Sequence, residues 1–201
     1  MTAKIKILLA IVLTITVATF ASVGAASPVS AHDDDDQSIH IQSVLAVTAI
    51  EGFSINPETG WARIDRETLQ GLSLISVIEG PAELDGLILS AEQRSRERFS
   101  TPDITAATAL EGRSYGTFSM SVPGGRAVVT GEYELEISNS ASCQIYGRGE
   151  WETKHGIIDG EGEIEVCTNW VSDFETFVTV VTITGSAELD DDEDEDEDED
   201  D

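Results

Sequence analysis

The chain has 201 residues, of which 39 are Asp or Glu and 11 are Lys or Arg, giving a formal net charge of −28. So negative a molecule repels nucleic-acid phosphates and anionic lipid headgroups, which excludes both as default partners. Once two unusual ends are set aside, the remaining length suits one domain with a real core.

The first segment has the pattern of a secretory signal peptide. Lys4 and Lys6 precede an uncharged run over residues 7–20, and small residues follow up to Val29-Ser30-Ala31. Cleavage is expected after Ala31, leaving His32 as the first mature residue and placing the protein outside the cell or in its envelope. The competing reading is a retained membrane anchor, which Pro28 and the small residues disfavour because they interrupt a continuous helix. Residues 32–36 then form an acidic spacer, residues 37–189 the folded body, and residues 190–201, Asp and Glu only, a tail. Such a tail cannot bury apolar surface; it is expected to be disordered and to associate weakly with cations. No second apolar run is long enough to span a membrane, so no transmembrane domain is expected in the mature chain.

Within the body the dominant signal is period two. Runs over 44–50, 72–78, 84–89, 115–122, 127–137, 144–153, 158–166 and 174–184 are rich in β-branched or aromatic residues. Pro123-Gly124-Gly125, Asn139-Ser140 and Lys154-His155-Gly156 supply turn chemistry between them. The pattern predicts an all-β domain, a single antiparallel β-sandwich or barrel of about eight strands with at most one or two short helices. The helix candidates are 101–110, where Thr101-Pro102-Asp103 suits an N-terminus, and the stretch 91–99.

Three features invite a functional reading. Arg94, Arg96 and Arg98 would project to one side of an extended segment, a candidate dock for an anion or for the acidic tail, weighed against plain local pairing with nearby acids. Alternating acids at Glu132, Glu134, Glu136, Glu150, Glu152, Asp159, Glu161, Glu163 and Glu165 predict strands with one carboxylate face and one apolar face. Cys143 and Cys167, an even pair in a chain read as exported, predict a disulfide. Both lie equally far from His155, so a hairpin turning there would set them opposite each other. That register puts Trp151 out of phase with Ile164 and Ile158, so a β-bulge is expected between the turn and the disulfide.

Catalytic motifs are lacking. There is no G-x-S-x-G elbow, H-E-x-x-H, Walker loop or dinucleotide fingerprint, and the EF-hand spacing is absent, so no catalytic residue, cofactor or defined metal site is assigned. His155 reads as an exposed turn residue. A terminal His32 with a second histidine, His40 or His155, resembles the copper site of exported polysaccharide monooxygenases at that one position. The four aspartates after it look like a spacer rather than a rigid site. The expected function is a non-catalytic exported β domain, a structural or interaction module with an acidic surface. The alternative is a barrel binding a small apolar ligand, with Leu72, Leu74, Leu87, Phe118, Phe174 and Phe177 as lining.

Overall fold

Side chains that alternate inward and outward every residue define ten strands in a computed structural model, which describes residues 37–189. They are β1 (Gln37–Glu51), β2 (Ser54–Ile55), β3 (Trp61–Leu74), β4 (Ser76–Glu79), β5 (Ile88–Phe99), β6 (Ala109–Ser121), β7 (Ala127–Ser138), β8 (Ile145–Gly156), β9 (Ile158–Val171) and β10 (Thr176–Leu189). The segments read as leader, spacer and tail, with His32 among them, lie outside the described residues. No described helix is long and apolar enough to cross a membrane.

Strands β3, β5, β6, β7, β8, β9 and β10 follow one another as an antiparallel meander. β1 then closes the circle, pairing with β10 through 37–46 and with β3 through 45–51. The result is an eight-stranded barrel, with β2 and β4 as short additions beside β3 and β1. Closure removes the long unpaired edges that an open sheet would present.

The two ends of the barrel are built differently. At one, residues 75–87 fold back so that Ile75, Leu84 and Leu87 are buried, with a single 3₁₀ turn at Ala82–Leu84. Met120, Val129, Trp151 and Ile158 are buried beside them, and the Trp151 ring packs edge-on against Phe118 at 6.2 Å. The other end carries the loops 52–60, 100–108, 139–144 and 172–175. Gln144 ties three pieces of it together. Its amide donates to the Thr105 carbonyl at 2.8 Å, its side-chain oxygen accepts from the Trp170 backbone, and its own carbonyl accepts from Ala109 at 2.6 Å.

Both helix candidates fold otherwise. Residues 91–99 lie within β5, where Leu89, Ala91, Gln93, Ser95, Glu97 and Phe99 share the inner face and the arginines the outer. In 101–110 the Asp103 side chain accepts from the Thr105 backbone at 3.1 Å, a local turn that competes with a helical cap. Ser100 and Thr108 bond across the loop, and the chain enters β6 at Ala109.

The disulfide joins Cys143 and Cys167, with Cα atoms 5.3 Å apart. The expected route to it is wrong in detail. β8 and β9 form a regular ladder in which Cys167 faces Tyr146 and Trp151 faces Gly162, so the hairpin turns at 156–157 rather than at His155. The apolar phase sets the register, because a one-residue slip would turn Trp151 out to solvent. Cys143 lies in the loop before β8 and reaches β9 from there. The irregularity near the turn occurs instead between β8 and β7, where Lys154 is the extra residue between Thr153 and His155.

Candidate functional site

The inner wall toward the loop-bearing end encloses a cavity of about 60 Å³. Several waters or a small organic molecule fill such a volume. Apolar side chains dominate its lining, among them Leu45, Ile64, Leu89, Phe99, Phe118, Leu135, Ile137, Val166 and Phe177. Ile50 and Phe53, 38% and 41% exposed, line it too and bring it to the surface at that end. Of the expected lining, Phe118 and Phe177 are there. Leu87 is buried at the opposite end, whereas Leu72 and Leu74 point outward at the end of β3 and Phe174 is exposed in the loop before β10.

A polar group is set into this apolar wall. Glu67 lies directly across the ladder from Gln93, whose amide donates to it. The Gln93 side-chain oxygen accepts from Ser114 Oγ at 2.9 Å and from the Tyr133 hydroxyl at 3.0 Å, which fixes which way round the amide sits. Tyr133 reaches Gln93 by lying over Gly116. A Cβ there would stand 2.5 Å from the Tyr133 Cζ and hydroxyl and 2.6 Å from the Glu92 carbonyl oxygen. Thr168 and Thr179, also in the lining, share a hydrogen bond of 2.9 Å.

Glu97 stands apart from that network. It is 4% exposed, lies on the same inner face as Gln93, and is flanked across the ladders by the small residues Ala62 and Gly112. Its Oε2 has no hydrogen-bond partner, and neither has Ser95 Oγ two residues before it. Burial pushes the Glu97 carboxyl up to about 7, with repulsion from Glu67 adding to the rise; the Ser95 hydroxyl opposes it by its polarity, although the two side chains make no hydrogen bond of good geometry. Burial also raises Glu67, and the Gln93 amide holds part of that rise back. The Tyr133 phenol is raised by burial and by the nearby Glu67. Among the residues lining the cavity, Glu67 and Glu97 are the only charged types.

The acid pair arises from one irregularity of the backbone. Between Ile64 and Glu67 the β3–β5 ladder shifts, so that Asp65 and Arg66 together oppose Arg94. Before this bulge the even-numbered residues Ala62 and Ile64 face in; after it Glu67 and Leu69 do. Strict alternation would have put Arg66 inside. The bulge turns it out, where it pairs with Glu92, and brings Glu67 in. Sequence reasoning missed both glutamates. Glu97 follows inward alternation on β5 but sits among three arginines that read as a surface stripe, and Glu67 depends on a bulge with no local signal.

The arginines do project to one outer face. Arg96 lies over the Trp61 ring at 5.0 Å, Arg94 over Tyr115 at 5.8 Å, and Arg98 Nε is 2.8 Å from Glu111 Oε1. The carboxylate face also forms. Ladder rows join Glu132, Glu152 and Glu161, and next to them Glu134, Glu150 and Glu163, while Arg148 separates Glu136 from Glu165. His40 is on the outer side of β1, and His155 is exposed at the end of β8. No cluster of three or more His, Cys, Asp or Glu suited to a metal occurs among the described residues. Comparison with protein-family models, curated proteins and solved structures finds no match.

Proposed function

We propose that this protein is an exported, non-catalytic binding barrel that holds one small, largely apolar molecule in the hollow half of its interior. The observation that carries this is the asymmetry of the core. One end buries Ile75, Leu84, Met120, Val129, Trp151 and Ile158 almost completely, whereas the other holds a cavity whose wall is apolar and whose mouth reaches the surface at Ile50 and Phe53. Eight-stranded barrels are at the size where the interior either fills with side chains or takes one small ligand. The loops at the mouth are tied by Gln144 and by the Cys143–Cys167 bond, which favours a preformed site and suits an oxidising compartment. The acidic outer face keeps such a carrier soluble.

The test is binding of short-chain alcohols, butanol to octanol, by calorimetry and by shift of the melting temperature. Saturable binding with one site per chain is expected. An Ala91→Trp variant, which fills the cavity from the inner face of β5, should melt cooperatively and bind none of them. Absence of saturable binding across the alcohol series refutes the reading.

A further inference from the structure

Resting on the binding-barrel reading, we propose that the ligand is an organic cation, a protonated amine or amidinium head on an apolar body, whose head is received by the Glu97 carboxylate with Glu67 beside it. Two observations converge on this. The cavity wall contains no Lys, Arg or His, so the charged groups a ligand would meet inside are both carboxyls. Glu97 is buried with an oxygen that lacks any hydrogen-bond partner, a vacancy for a donor that the protein does not fill from its own side chains. Burying an unpaired carboxylate is costly, so a site that keeps one suits a partner that neutralises it.

The neighbouring groups fit the same head. Gln93 is locked by Ser114 and Tyr133, so its amide is committed to Glu67 and the donor to Glu97 must come from elsewhere. Phe99, two residues on along the same face of β5, sets an aromatic ring in the lining near that carboxyl, a surface that also favours cations. A fatty acid is disfavoured by the same geometry, because its carboxylate would meet two acids in a wall of low polarity.

The discriminating experiment compares alkylamines, alcohols and carboxylates of equal chain length, butyl to octyl, by calorimetry at pH 8 on the exported protein. The amine should bind at least about tenfold tighter than the alcohol, as a charge-assisted hydrogen bond supplies, and the carboxylate weaker than either. Glu97→Gln should bring the amine to the alcohol's affinity and leave the alcohol unchanged; Glu67→Gln should weaken the amine less. Equal binding of amine and alcohol, or preference for the carboxylate, overturns the cation while leaving the binding barrel in place. Failure of all three to bind removes the barrel reading itself. Unchanged amine affinity in a folded Glu97→Gln protein overturns the role of Glu97.

Discussion

Replacing Glu97 by Gln keeps the shape of the side chain and removes its ionisation, so it isolates what the buried carboxyl does to stability. The folded-state value of about 7 against an ordinary 4.5 means that the native protein holds this proton more tightly than the unfolded chain. Stability is therefore greatest below the ordinary value, falls as pH rises from about 4.5 to about 7, and is level above that, as far as this group is concerned. At about 1.36 kcal/mol per pH unit, the loss between pH 4 and pH 8 is about 3 kcal/mol. The titratable group that acts on Glu97 inside the barrel is Glu67, which has Tyr133 near it. Glu67 shifts in the same direction, so it adds to the slope, and Tyr133 stays neutral throughout the range.

Urea unfolding of both proteins from pH 4 to pH 8 reads the effect directly. The difference in unfolding free energy should favour Glu97→Gln progressively, by about 3 kcal/mol more at pH 8 than at pH 4, or roughly 6 to 12 °C in melting temperature for a domain this size. Taking the difference cancels the repulsion of the surface carboxylates, which ionise in both proteins. A difference that does not change with pH would show that Glu97 is ionised and satisfied at neutral pH, and would remove the vacancy on which the cationic ligand depends.

Gly116→Ala should destabilise by about 1 to 3 kcal/mol, since the new Cβ meets the Tyr133 ring and the Glu92 backbone; urea unfolding checks it, and a neutral effect would show that Tyr133 does not lie over β6. Replacing both Cys143 and Cys167 with Ser should cost about 3 kcal/mol, the value for a loop closed across 24 positions, with hydrogen exchange rising first in the mouth loops. The body carries 23 acids against nine bases, and its outer rows place glutamates opposite one another, so the melting temperature should rise with sodium chloride and rise equally with calcium chloride at matched ionic strength. A much larger effect of calcium would reveal a specific site.

Much of the fold was legible because it is written in period two. The outward acids and inward apolar residues of β7, β8 and β9 specify their faces residue by residue, and the structure follows them. Where two signals disagreed, at the β8–β9 hairpin, the burial of Trp151 outweighed the symmetry of the cysteines, since a disulfide can be reached from a loop but a core tryptophan cannot be reached from the wrong face. The false helix at 91–99 has a related cause. Charged residues at every second position are as compatible with the outer face of a strand as with a solvated helix, and the inward Gln93, Ser95 and Glu97 are polar, so the apolar alternation that marks a strand is weakest where the site lies. The site was illegible for that reason, and because the inward turn of Glu67 comes from a bulge fixed by pairing with β5 rather than by residues 65–67 themselves.

The arrangement also explains why covalent and hydrogen-bonded ties gather at the mouth. A cavity of about 60 Å³ forgoes packing contacts, and a buried carboxyl without a partner adds a cost at neutral pH, so the end that holds both gains most from added restraint. The filled half, with Trp151 bonded through its indole nitrogen to the Thr184 carbonyl at 3.0 Å, has no such deficit. Cross-links there would be redundant. The Cys143–Cys167 bond, the three contacts of Gln144, and the edge-on packing of Trp170 against Phe177 at 5.1 Å all lie on the hollow side instead. They restrain the wall without occupying the space, and the proposed ligand would supply both the missing contacts and the missing charge partner.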